Sequence, residues 1–241
     1  MRILVAFLTL TMTSCVYAQQ AVPAQVLDLQ AWKLTVPFRN KGDKQALEVA
    51  QPKLSKYSHP DAFFVSKSGD AVVFRAHCGG ARTRNSDYPR SELREMLPDG
   101  SDEIAWSTDD GGRHELEMEV AITQLPKEKS HVVCAQIHDS EDDVIMIRLE
   151  QHKLFVERNE LERVMLDKRY QLGTKFTLKI VAEEGEIKVF YNSQLKFSWK
   201  VSRPGCYFKA GCYTQSNTRK GDLPNAYAEV AITRIKISHT N

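Results

Sequence analysis

Apolar residues recur along most of this chain at every second position, in short runs separated by turn residues, the period of half-buried strands. The clearest run lies between 114 and 122, where Leu116, Met118 and Val120 alternate with Glu115, Glu117 and Glu119. Residues 63–65 and 71–75, joined by Lys-Ser-Gly-Asp at 67–70, read as a hairpin that Gly79-Gly80 ends. Further hairpins are predicted from 144–149 with 154–156, and from 176–181 with 187–191. Strands over 32–37, 195–201 and 226–237 complete the set, and a short helix is predicted near 45–50 within the charged, irregular stretch 39–60. Many short strands at close spacing, with almost no helical periodicity, predict an all-β fold, a β-sandwich or jelly roll. No linker or internal repeat interrupts the pattern, so residues 19–241 are expected to form one domain.

Three other predicted strands carry unusual polar faces. In 207–215, alternation puts Tyr207, Lys209, Gly211, Tyr213 and Gln215 on one side, with Phe208, Ala210 and Cys212 on the other. In 88–94, Arg90, Glu92 and Arg94 share a face; in 135–138, Gln136 and His138 share one while Ile137 points away. Such a set suits a polar, anionic ligand if the three strands are neighbours in one sheet. That adjacency is the condition on which the functional reading depends. A structural reading stands beside it: an Arg-Glu-Arg ion-pair ladder, a satisfied structural histidine, and a glycine that only permits a bulge.

Composition and the N-terminus narrow the compartment and the partner. Met1-Arg2, the apolar run 3–10 and Val16-Tyr17-Ala18 read as a secretory signal over residues 1–18, with lipid attachment at Cys15 as the alternative. The run is too short to span a bilayer. The expected location is extracellular or periplasmic, where Cys78, Cys134, Cys206 and Cys212 could pair in three ways. None of them has metal-ligand spacing. A net charge of +2 over 241 residues, with no basic arm, argues against nucleic acid as partner, so any attraction of a polyanion is local.

Arg-Ser-Glu-Leu-Arg at 90–94, Gln-Ile-His at 136–138 and Tyr-Phe-Lys-Ala-Gly-Cys-Tyr-Thr-Gln at 207–215 together resemble the three signature blocks of the alginate lyases of polysaccharide lyase family 7. The flanks at 29–37 and 228–238 resemble the family's opening and closing strands. The resemblance implies a concanavalin A-like jelly roll whose concave sheet binds alginate, cleaved by β-elimination with no cofactor or catalytic metal. It implies catalytic roles for Arg90, Gln136, His138 and Tyr213. Glu92, Arg94, Lys209 and Gln215 match positions that support the site or bind sugar, and Tyr207 and Asn217 are further substrate-binding candidates. Ile137 resembles the form that accepts guluronate or mixed blocks. A monomer acting endolytically is expected.

The chemistry explains these residue types. β-Elimination removes the C5 proton beside a carboxylate and expels the 4-O-linked sugar, so a dianion-like enolate must be stabilised. A planar guanidinium and an amide, Arg90 and Gln136, suit that task. An imidazole, with an ordinary pKa of about 6.5, suits the base, and a phenol, ordinarily about 10, suits the acid for the leaving oxygen. The expectation is Tyr213 as acid throughout, with His138 as base for guluronate and Tyr213 taking both roles for mannuronate. Rival readings are a lyase for another polyuronate such as glucuronan, a jelly-roll glycoside hydrolase using Glu115, Glu117 and Glu119, or a carbohydrate-binding module. The acid run 141–143 is expected in a turn leading away from the groove, with a calcium site as the weaker option. Arg82, Arg84, Arg219 and Lys220 are read as loop residues, and His59, His77, His114, His131, His152 and His239 as surface or structural.

Overall fold

The computed structural model describes residues 21–159 and 161–240; the predicted leader and Cys15 lie outside them. In chain order the strands are β1 (Trp32–Val36), β2 (Leu47–Val49), β3 (Phe63–Val65), β4 (Val72–His77), β5 (Arg90–Glu95), β6 (Arg113–Gln124), β7 (His131–His138) and β8 (Asp143–Glu150). They continue as β9 (Lys153–Arg158), β10 (Leu161–Asp167), β11 (Phe176–Glu183), β12 (Glu186–Tyr191), β13 (Gln194–Lys200), β14 (Tyr207–Thr214) and β15 (Tyr227–Thr240). One sheet runs β10-β9-β8-β7-β14-β5-β1-β2 and the other β13-β12-β11-β6-β15-β4-β3, with antiparallel neighbours throughout. Three single-turn 3₁₀ helices are the helical elements among the described residues.

Alternation along each strand sends one set of side chains between the sheets. Leu34, Leu93, Phe208, Ala210 and Cys212 from the eight-stranded sheet meet Phe74, Leu116, Met118, Ile122 and Ile232 from the other in one continuous core. Glu115, Glu117 and Glu119, on the opposite face of β6, remain partly exposed. The predicted hairpins form as β3–β4, β8–β9 and β11–β12.

Two expectations need correction. Residues 47–49 are strand β2, not helix: the segment lies beside β1, with Leu34 opposite Val49 and Val36 opposite Leu47. Ladder bonds to a neighbour outweigh the weak local preference of so short a piece, because helix nucleation is costly. Strand β10 was not foreseen. It is a sheet edge whose pairing with β9 contains two register shifts, and its exposed first half carries no clean alternation.

Cys78, Cys134, Cys206 and Cys212 are all buried and unpaired, so none of the three possible pairings forms. Burial pushes the Cys134 and Cys206 thiols up to about 12, which keeps them protonated. Cys212 points into the core, as its place in the alternation requires.

Candidate active site

The three strands with polar faces are neighbours: β14 lies between β7 and β5. Across β14 and β5, Lys209 stands opposite Arg94, Gly211 opposite Glu92, and Tyr213 opposite Arg90. Across β14 and β7, Tyr207 stands opposite His138 and Lys209 opposite Gln136. A groove of about 610 Å³ lies over this face, and Arg90, Arg94, Gln136, His138, Lys209 and Tyr213 all line it.

Gly211 makes this arrangement possible. It adopts φ +134°, and the β14–β7 register slips between Ala210 and Tyr213 while the β14–β5 register stays regular. A Cβ there would lie 2.7 Å from the Ser91 carbonyl oxygen and 2.9 Å from Phe74 Cδ1. The glycine therefore serves a bulge and close packing against β5. A second shift in β7 lets Cys134 and Ala135 both face the core, so Gln136 and His138 still reach the groove.

Glu92 sits beneath the groove floor with its side chain 1% exposed. Its Oε2 accepts from Arg90 Nη1 at 2.8 Å and Lys209 Nζ at 2.9 Å, and its Oε1 accepts a short hydrogen bond from Gln136 Nε2. Burial opposes its charge more than any single neighbour favours it, yet Lys209, Arg90 and Gln136 together hold its pKa below the usual carboxylate range. Lys209 moves the other way for a cation. Burial first, then Arg90, lower its pKa to about 8, because one carboxylate is shared by two cations. Arg90 Nε is buried without a partner among the described residues. The floor thus carries unspent donors and surplus positive charge.

The remaining groups are fixed by aromatic contacts. The Arg90 guanidinium lies 3.8 Å from the Tyr213 ring centroid, and that of Arg94 lies 4.0 Å from the Tyr207 ring. Arg94 also pairs with Glu103 at 3.0 Å. His138 Nδ1 lies 2.6 Å from the Asp139 carbonyl oxygen and 3.1 Å from Tyr207 Oη. A carbonyl only accepts, so Nδ1 carries the proton and Nε2 presents its lone pair. Burial, then Lys209, lowers the His138 pKa, so the imidazole is neutral at neutral pH.

Not every predicted residue reaches the groove. Gln215 is buried just beyond β14, and Asn217 donates from Nδ2 to the Asp87 carbonyl at 2.9 Å while capping the 3₁₀ turn Thr218–Lys220. Neither is among the groove-lining residues, and neither is Glu92. Two features were missed. Ser86 Oγ lies 2.8 Å from Tyr213 Oη, from a loop with no strand periodicity to betray it. The acid run turns away only in part: Glu141 does not line the groove, whereas Asp143 stands opposite His138 at the start of the β7–β8 hairpin and Asp142 and Asp143 line the groove's end. Burial and the adjacent Asp142 push Asp143 up to about 7, which reduces its conflict with an anionic ligand.

Elsewhere, Arg84 lines the groove, whereas Arg82 and Arg219 both pair with Asp87. His114 and His239 do have company, in a chain from Asp110 through both rings to buried Glu95. Glu115 and Glu117 are bridged by Lys179 on the face of the seven-stranded sheet, away from the groove. No cluster of metal-ligating side chains occurs among the described residues, which gives the calcium reading no support.

The profile of the family described as "Alginate lyase" matches residues 27–239. An alginate lyase of polysaccharide lyase family 7, AlgAT5, superimposes with a TM-score of 0.88 at 52% identity, over 92% of this chain and 100% of that one. The alginate lyase from Corynebacterium sp. gives 0.87 at 36% identity, over 92% and 99%. A curated alginate lyase from Klebsiella pneumoniae is 26% identical over 92% of this chain and 93% of its own. The fold is therefore the jelly roll of those structures, and the chain belongs to the alginate lyases of polysaccharide lyase family 7.

Proposed function

We propose that this enzyme is an exported endolytic lyase that depolymerises alginate at guluronate or mixed blocks. Support comes chiefly from one observation: Arg90, Gln136, His138 and Tyr213 converge on a single groove around the buried Glu92. Arg90 and Gln136 hold the C5 carboxylate and stabilise the enolate, as an oxyanion hole does; losing one such donor typically costs about 100- to 1000-fold in rate. Lys209 adds positive charge, and Glu92 acts from below by aiming these donors, without touching sugar.

His138 Nε2 takes the C5 proton of guluronate, and Tyr213 protonates O4 as the C4–O4 bond breaks and the C4=C5 double bond forms. Two groups are needed because that proton and the leaving oxygen lie on opposite faces of the ring. In mannuronate they lie on the same side, and Tyr213 alone serves both. Ile137 supports the block preference only indirectly, since its side chain packs in the core and reaches sugar through its neighbours Gln136 and His138. Groove residues range from Glu48 on β2 to Asp142 beyond β7, a path across the sheet that favours cleavage within a polymer.

The test is incubation with polyguluronate and polymannuronate while following the ultraviolet absorbance of the new double bond. Tyr213→Phe is expected to abolish turnover on both while leaving binding intact; His138→Asn is expected to lose polyguluronate activity preferentially. Retention of more than a few per cent of activity by Tyr213→Phe overturns the acid assignment. A fall in alginate viscosity that precedes most of the absorbance change supports endolytic action, and N-terminal sequencing of the exported protein tests cleavage after Ala18.

A further inference from the structure

We infer that Ser86 is a positioning residue for the elimination, whose hydroxyl steadies the Tyr213 phenolate left after proton donation. The inference rests on the proposal that Tyr213 is the acid.

Three contacts meet at Ser86 Oγ. It accepts from the Tyr88 backbone N–H at 3.1 Å, lies 3.3 Å from the Tyr88 carbonyl oxygen, and lies 2.8 Å from Tyr213 Oη. With one lone pair engaged by Tyr88, the hydroxyl hydrogen has two possible acceptors, the distant carbonyl and the nearer phenol oxygen. While Tyr213 is protonated, either oxygen of the short pair can be the donor. Once Tyr213 has given its proton to O4, its oxygen can only accept, and Ser86 becomes the donor. A hydrogen bond to a charged oxygen is stronger than one between neutral groups, so this contact tightens as the reaction proceeds. Ser86 keeps its own proton throughout, and no bond to it is made or broken.

The loop is held so that this contact persists. Asp87 pairs with Arg82 and Arg219, and its carbonyl accepts from Asn217. The Thr214 backbone N–H donates to the Pro89 carbonyl at 3.1 Å, tying the loop's end to β14. Asn217 thus has a task other than sugar binding: it fixes the loop that carries Ser86. The other groups facing Tyr213 are the Arg90 guanidinium over its ring and the Tyr88 ring at its edge, the latter held by Lys129. Neither hydrogen-bonds the phenol oxygen, which leaves Ser86 as its one side-chain partner among the described residues.

The experiment compares Ser86→Ala, Ser86→Thr and Tyr213→Phe over a pH series on polyguluronate, where Tyr213 serves only as acid. Ser86→Ala is expected to lower kcat about tenfold, less than the loss of a full oxyanion-hole donor, with KM nearly unchanged. Its alkaline limb should move to higher pH, because the phenolate has lost a donor and forms less readily. Ser86→Thr, which keeps the hydroxyl, should restore both. A kcat within twofold of the parent, or a loss of rate with an unmoved alkaline limb, overturns the inference; the second result would mean that Ser86 only shapes the loop. If Tyr213→Phe stays active, the acid assignment itself fails, an outcome distinct from a silent Ser86→Ala in an enzyme that Tyr213→Phe inactivates.

Discussion

Two faces of this sandwich carry rows of alternating charge, and they behave differently. On the outside of the seven-stranded sheet, Lys179 bridges Glu115 and Glu117, Arg113 adds to Glu115, Arg234 to Glu117 and Lys175 to Glu119. Every carboxylate there meets a cation and stays in contact with water. On the groove face, Arg90, Lys209 and Gln136 converge on one carboxylate, Glu92, whose side chain is 1% exposed. Arg94 stands opposite Lys209 and finds its own acid, Glu103, only at the rim. The outer row is mutually satisfied; the inner one holds surplus positive charge at fixed positions. Alternation announces a charged face in both cases, but only the balance of partners separates a solvated ladder from a polyanion site.

Removing the shared carboxylate should have the largest effect. Glu92→Gln leaves Arg90 and Lys209 buried without their counter-charge, a change that typically costs about 3–5 kcal/mol. Urea unfolding should register that loss, and kcat should fall by about 100-fold because Arg90 and Gln136, proposed to hold the substrate carboxylate, lose their aim. The folded Glu92 pKa is depressed, so its contribution is fully present above the unfolded value of about 4.3 and fades as pH falls through the folded one. The stability gap between parent and variant should therefore close in acid. A variant with parental melting and activity would make the groove face no different from the outer ladder.

Much of this contrast was readable beforehand, and the unread part has physical causes. Period-two alternation exposed the strands because each has one core face, as in β6 and β14. The residues on β5, β7 and β14 were readable as three polar faces, and the resemblance of their blocks to polysaccharide lyase family 7 made them site candidates. Gln215 and Asn217 lie past the end of β14, where alternation stops: Gln215 is buried, and the Asn217 side chain bonds the Asp87 carbonyl. Ser86 escaped because a loop residue has no period, and its meaning comes from a partner 127 positions away. Glu92 was legible as a member of the site but not as its hub, since burial beneath the floor emerges only from packing. Gly211 shows how narrow the tolerance is: Gly211→Ala should cost about 1–3 kcal/mol of stability through its positive φ and its contact with the Ser91 carbonyl, and should lower kcat by misplacing Tyr213.

Lys209 sharpens the comparison through pH. Burial and Arg90 lower its pKa to about 8, so the floor loses one positive charge just above neutrality. KM for alginate should rise above pH 8 in the parent enzyme, and Lys209→Met should show the higher KM at every pH without that rise. Stability runs the opposite way. Folding disfavours the charged form of this lysine, so its unfavourable contribution shrinks as pH climbs from about 8 towards the unfolded value of about 10.4. Lys209 is also the second cause, after burial, of the depressed His138 pKa. The acid limb of kcat/KM should therefore lie below about 6.5 in the parent and move upward in Lys209→Met. An unmoved limb would separate His138, the proposed base, from this lysine.

The outer ladder supplies the smallest expected effect and the control on all the others. Glu117 is bonded by Lys179 and Arg234, which hold its pKa below the usual carboxylate range, and its side chain is 26% exposed. Glu117→Gln leaves Lys179 its contact with Glu115 at 3.0 Å and leaves Arg234 unpaired but exposed to water, so no buried charge is stranded. Such wet pairs are worth about 0.2–1 kcal/mol, and salt weakens them further. The variant should unfold within that margin of the parent, approach it as salt is added, and cleave alginate with unchanged kcat and KM. If Glu117→Gln instead matched Glu92→Gln in either stability or turnover, the number of partners around each carboxylate would not be what distinguishes the two faces. Burial by itself could not rescue the distinction, because Glu117 has access to water and Glu92 does not.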